Sequence, residues 1–128
     1  MKKQEIDQTK QLATRICQFL SSKKAEDIVL LDVREKTSIC DYFIIASGRS
    51  SLQVKSLCEN LEEELSKKDA LEPKRMEGVK EGRWGVIDYG DVIVHIFNDE
   101  TRLFYHLERL WTDGGNMQRY DDVAGELK

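Results

Sequence analysis

The chain has 128 residues, 40% apolar and 34% charged, with a formal net charge of −4 and three cysteines. That length supports one core and is short for two. The charge density leaves no run of roughly twenty apolar residues to span a bilayer, and the composition fits neither a disulfide scaffold nor a mainly disordered chain.

Residues 4–20 place Ile6, Leu12, Ala13, Ile16, Cys17 and Leu20 at three- and four-residue spacing, which predicts an amphipathic helix. The segments 27–34 (DIVLLDVR) and 42–47 (YFIIAS) are almost continuously apolar, as expected of strands covered on both faces. Ser47-Gly48-Arg49-Ser50-Ser51 then leads into a helix over about 52–67, with the stripe Leu52, Val54, Leu57, Cys58, Leu61 and Leu65. A connector over 69–82 holds the only proline, Pro73, with Gly78 and Gly82. Strands over 83–88 and 91–97 follow, joined by Tyr89-Gly90 as a two-residue hairpin loop. Asn98 is a candidate N-cap for a last helix over about 99–111, whose apolar face is Leu103, Phe104, Leu107, Leu110 and Trp111. The acidic tail, 112–128, lacks periodicity and is expected to be loosely packed or disordered. The order α-β-β-α-β-β-α describes one mixed α/β (α+β) domain over 1–111, a mixed sheet flanked by helices.

The hairpin is the most informative segment. With Tyr89-Gly90 as the loop, Asp88 lies opposite Asp91, Val86 opposite Ile93, and Trp84 opposite His95. Alternation puts these six on one face with Phe97. The other face holds Gly85, Ile87, Val92, Val94 and Ile96, which is what a helix-covered core requires. A tryptophan among apolar residues, two acids and a histidine suits a protein-binding patch. Like charges opposite each other repel, by a few tenths to about 1 kcal/mol, unless a cation or solvent relieves them.

Charge is unevenly spread. Residues 1–24 carry six basic and two acidic side chains, and residues 88–128 carry four basic and nine acidic. No basic stripe marks a nucleic-acid surface, whereas an acidic carboxy-terminal part suits a cationic protein partner. Met1-Lys2-Lys3 leads into Gln4, Glu5 and Asp7 and not into the apolar stretch of a secretory leader. With Cys17, Cys40 and Cys58 unpaired by spacing, a cytoplasmic protein is expected. Cys17 and Cys58 belong to apolar helix faces, and Cys40 has no neighbouring histidine to activate it.

The 47–51 loop could cradle an anion on helix amides with Arg49 assisting, but serine capping explains it more simply. A Gly-Ser turn and later acidic residues also resemble the nucleotidyltransferase fold, whose enzymes hold Mg²⁺ with two carboxylates at period-two spacing on one strand. Here Ile93 stands two residues after Asp91, so the second ligand is missing. His95 and His106 lack zinc-motif spacing. No catalytic residue, metal or cofactor is expected. A Mg²⁺-dependent nucleotidyltransferase using Asp88 and Asp91 remains the alternative class, with a homodimerising module as a third.

Three ordered blocks, CDYFIIASGRSSLQV (40–54), Trp84 before VIDYGDVIVHIF (86–97), and RLFYHLERLW (102–111), resemble the ribosomal silencing factor family, also called Iojap-like. The resemblance implies a nucleotidyltransferase-like fold without catalysis. It also implies binding to large-subunit ribosomal protein fourteen, where occupancy blocks subunit joining and lowers translation when nutrients are short. The family contacts fall on Trp84, Asp88, Tyr89 and Asp91, with Glu77 and Gly78 matching its Glu-Gly in the preceding loop. Val86, Ile93 and His95 join them from face geometry alone.

Overall fold

The computed structural model describes the backbone of residues 2–128 and the side chains of residues 8–128, so Ile6 lies outside the described side chains. Helix α1 (Lys2–Ser22) turns Ala13, Ile16, Cys17 and Leu20 inward. Strands β1 (Glu26–Asp32) and β2 (Tyr42–Gly48) pair antiparallel. Helix α2 (Ser51–Asp69) buries Val54, Leu57, Cys58, Leu61 and Leu65. Then come β3 (Arg75–Glu77), β4 (Trp84–Asp88), β5 (Val92–Asn98), α3 (Asp99–Tyr105), α4 (Leu107–Trp111), β6 (Met117–Asp121) and β7 (Glu126–Leu127).

The strands form one mixed sheet in the order β3-β4-β5-β2-β1-β6-β7. Only β2 and β5 run parallel, at its centre, and every residue of β2 is buried. That burial explains the near-continuous apolar runs in the sequence. One face packs under α1 and α2 around Ile44, Ile87, Val94 and Ile96. The other carries a smaller cluster of Val29, Leu31, Phe43, Ile45, Ile93 and Phe97, partly covered by Leu107 and Trp111 of α4. Among the described residues, no helix is long and apolar enough to cross a membrane.

Several expectations need correcting. The connector contains a three-residue strand, β3, on the edge of the sheet. The tail is not loose: β6 pairs with β1, and Asn116 Nδ2 donates to the carbonyls of Asp32 and Trp111, both at 2.8 Å. Strand pairing runs through backbone groups and needs no apolar periodicity, so residues 117–121 carry no such signal. The hairpin loop is Gly90-Asp91 and not Tyr89-Gly90. The Tyr89 amide donates to the Val92 carbonyl at 2.9 Å, and Gly90 takes φ +91° at the first loop position, which suits glycine in a type II′ turn.

The last helix is two helices, because His106 adopts φ +51° and breaks the phase between α3 and α4. Leu107 and Trp111 pack inward, but Leu103, Phe104 and Leu110, expected on the same apolar face, are 77%, 82% and 74% exposed. Leu52, in the first turn of α2, is likewise exposed.

Candidate partner-binding face

Strand pairing sets the face residue by residue. Trp84 pairs with Phe97, Val86 lies between Glu77 and His95, and Asp88 lies between Arg75 and Ile93. The predicted partners are each displaced by two residues, and Asp88 is not opposite Asp91. Trp84, Val86, Asp88, Ile93, His95 and Phe97 nonetheless share one side as expected, whereas Asp91 falls in the loop. Moving the loop by one residue changes the register by two, which preserves the alternation of sides.

Trp84 is half-buried, and its ring stacks on Phe97 with centroids 4.8 Å apart. Tyr105 of α3 leans on it at 5.0 Å, and the indole Nε1–H donates to His95 Nδ1 at 3.1 Å. Trp84 also lines a cleft of about 450 Å³ between β4 and α3, shared with Glu81, Arg83, Glu100, Phe104 and Tyr105. Gly78 lies at the back of this cleft with φ +73°. A Cβ there would sit 2.0 Å from the Trp84 carbonyl oxygen, so only glycine lets the preceding loop close onto β4. Glu77 is exposed on β3, on the same side as Val86.

The Asp88 carboxylate accepts the Gly90 amide at 2.8 Å and lies 3.6 Å from Arg75 Nε, which supplies a cation from within the fold. Asp91 is exposed at the turn, and its carbonyl receives the amides of Asp41 and Tyr42 at 2.8 and 3.1 Å. Burial, reinforced by Asp91, pushes the Asp41 carboxyl up. Burial first, then the charges of Asp41, Asp88 and Asp91, pushes the Cys40 thiol up to about 12, so it stays protonated. This end of the sheet is therefore an acidic rim.

The predicted site residues separate into two depths. Trp84, Val86, Asp88, Asp91 and Glu77 reach the surface, whereas Ile93 and His95 are 8% and 7% exposed and form its floor. Tyr89 is on the opposite side, buried in the α1/α2 core with its hydroxyl unpaired; burial pushes its pKa up. Sequence reasoning missed Tyr105 and assigned Phe104 to the core. A signal was available: Leu103-Phe104-Tyr105 wraps more than half the circumference of a helix, so one of the three must face away from any single packing partner.

In the 47–51 loop, Ser50 accepts the Gln53 amide at 3.1 Å, which is the expected N-cap. Arg49 pairs with Glu26, and Ser47 Oγ accepts from Arg102 at 2.8 Å, leaving both engaged within the fold. Among the described residues, no group of three or more His, Cys, Asp or Glu side chains could hold a metal ion.

Fold and face together define a small mixed α/β domain whose distinguishing feature is an aromatic and acidic sheet surface. The profile described as "Ribosomal silencing factor during starvation" matches residues 6–127. The ribosomal silencing factor RsfS of Haemophilus influenzae is 43% identical over 96 residues, covering 75% of this chain and 93% of that protein. Its counterpart in Halalkalibacterium halodurans is 37% identical over 99 residues, covering 77% and 84%. A crystal structure of a Chromobacterium violaceum protein superposes with a TM-score of 0.73 at 34% identity, covering 83% of this chain and 85% of that one. The chain belongs to the ribosomal silencing factor family. The relatives from Haemophilus influenzae and Halalkalibacterium halodurans are both named as ribosomal silencing factors.

Proposed function

We propose that this chain binds the large ribosomal subunit through large-subunit ribosomal protein fourteen, using the face that carries Trp84. Seated there, it sterically blocks joining of the small subunit and lowers translation when nutrients are short, acting in the cytoplasm. Trp84 is the anchor, with Val86 beside it and Glu77, Asp88 and Asp91 as the acidic rim. Gly78, Ile93 and His95 shape the surface from beneath, and Tyr89 supports the hairpin from the core side. The observation that carries this reading is Trp84 itself: a large aromatic held on three sides by Phe97, Tyr105 and His95, with one side open on a cleft. Ribosomal proteins are basic, and an acidic rim around an aromatic anchor is the complementary surface.

Co-sedimentation with purified large and small subunits, read out with a subunit-joining assay, tests the proposal. The chain is expected to pellet with large subunits alone and to inhibit joining. Pelleting with small subunits, or normal joining at saturating protein, would overturn it.

A second reading is that two free copies pair through the same face. Phe104, exposed in the cleft it shares with Trp84, favours it. Sedimentation velocity over a wide concentration range decides: a monomer throughout sinks this reading and leaves the first intact.

A further inference from the structure

His95 sits mid-strand in β5, between Val86 of β4 and Ile45 of β2. Its ring meets Phe43 edge-on at 5.0 Å and lies 6.0 and 6.5 Å from the rings of Trp84 and Phe97. Indole N–H is a donor only, so the Nδ1 that receives it must carry the lone pair. The neutral ring therefore keeps its proton on Nε2, and that N–H is buried with no hydrogen-bond partner. Burial pushes the imidazole pKa down to about 4, with no neighbouring charge contributing, so the ring is neutral at physiological pH.

An apolar side chain would fill this aromatic and aliphatic surrounding without the orphaned Nε2–H, but it would leave the Trp84 indole N–H without its acceptor. For packing alone, histidine is a poor choice. For holding an indole N–H, it is a good one. The stack on Phe97 and the tilted contact with Tyr105 do not by themselves select which edge of the indole faces the sheet, whereas the hydrogen bond does. We propose that His95 is a positioning residue: its Nδ1 locks the Trp84 indole against Phe97, in the orientation a partner meets. The proposal rests on Trp84 being the anchor. Buried as it is, His95 acts through Trp84 and touches no partner.

The test compares wild type with Trp84→Ala, with His95→Leu and His95→Phe, which remove the acceptor, and with His95→Asn, whose Oδ1 can accept near the position of Nδ1. The readouts are melting temperature, the Trp84 indole N–H resonance (identified by its absence from the Trp84→Ala spectrum), and affinity for purified bacterial large ribosomal subunits. The acceptor-free variants are expected to melt near the wild-type temperature, because removing the orphaned Nε2–H offsets the lost hydrogen bond. Their indole proton should move upfield, and their affinity should fall about tenfold, with His95→Asn recovering most of it. Wild-type affinity in His95→Leu, where Trp84→Ala has lost binding, overturns the positioning role and leaves the anchor standing. An affinity loss that His95→Asn does not recover overturns the part played by the hydrogen bond. Unchanged affinity in Trp84→Ala overturns the anchor reading and, with it, this proposal. Failure of both His95→Leu and His95→Phe to fold would make His95 part of the core's construction and overturn the proposal too.

Discussion

On the side of the sheet beneath α1 and α2, Ile87, Val94 and Ile96 are fully buried against residues such as Ile16, Leu57 and Leu61. On the other side, the same two strands present Trp84, Val86 and Asp88, none of them fully covered, above a buried histidine with an unpaired N–H. Alternation along β4 and β5 thus assigns stability to one set of residues and exposure to the set between them. The first side is chosen for volume and apolar area. The second keeps features that stability alone would remove, an exposed aromatic and an acidic rim, whereas an orphaned polar atom occurs on both: Tyr89 Oη on the first and His95 Nε2 on the second. A small domain can maintain such a surface because the opposite face carries most of the packing.

The largest break in this comparison should come from the packed side. Leu57→Ala and Leu61→Ala each empty a fully buried site and are expected to lower unfolding free energy by about 2–5 kcal/mol in urea titrations. Gly85→Ala, on the same side, would put a Cβ 2.6 Å from Cys58 Sγ and should also destabilise, by about 1–3 kcal/mol. Loss of binding in these variants should track unfolding. If folded Leu57→Ala lost large-subunit binding outright, the division of labour between the faces would fail.

Acid sharpens the contrast from the other side. Burial holds the folded-state pKa of His95 at about 4 against an ordinary 6.5, so the unfolded chain binds the extra proton first. Its contribution is present above about pH 6.5, is lost as pH falls, and levels off below about pH 4. The full span amounts to about 3 kcal/mol. Carboxylates such as Asp32, held below their ordinary range chiefly by Arg34, lose stability over a lower and partly overlapping window. His95→Leu should remove the upper part of the acid sensitivity and leave the lower. An unchanged profile between pH 6.5 and 4 would show that the buried imidazole is not its source.

Next in size is the anchor. Trp84→Ala should weaken large-subunit binding by about 2 kcal/mol or more, roughly thirtyfold, while the protein remains folded by circular dichroism. Some stability should be lost with the Phe97 stack, but less than in Leu57→Ala, because Trp84 is only half-buried. Binding equal to wild type would remove the exposed face from any role in recognition.

How much of this was legible in the sequence depends on what each signal encodes. Alternation over 84–97 identifies which residues share a side, and Trp84, Val86, Ile93 and His95 do share one. It does not encode register. Gly90 could follow or open a two-residue loop, and the choice moved every cross-strand partner by two while moving none to the wrong face. Tyr89 was misplaced for a related reason: as a loop residue it has no assigned side, whereas as the first pair beyond the loop it points into the core. The stripe from Leu103 to Trp111 assumed one continuous helix, and the left-handed His106 ends that assumption. Strands β3, at the edge, and β6, between β1 and β7, escaped notice because short strands are held by backbone pairing, which leaves little imprint on side-chain pattern. That Trp84 shares a face with apolar and acidic residues was legible, whereas its restraint by His95 and Tyr105 was not, because it depends on register and on the position of α3.

The smallest effect expected is also the most selective. Asp91 is exposed at the turn, so Asp91→Lys should leave the melting temperature nearly unchanged. Asp88 differs, because its carboxylate also accepts the Gly90 amide and faces Arg75; Asp88→Lys should cost some stability through the turn as well as charge. If the rim steers a basic partner, both reversals should slow association several-fold with less effect on dissociation, and both should flatten the dependence of binding on salt. Asp91→Lys isolates the electrostatic part, because it keeps the turn's backbone contacts to Asp41 and Tyr42, which use the Asp91 carbonyl and not its side chain. A salt dependence identical to wild type in Asp91→Lys would mean that the acidic rim only solubilises this end of the sheet, and that recognition rests on Trp84 and its neighbours alone.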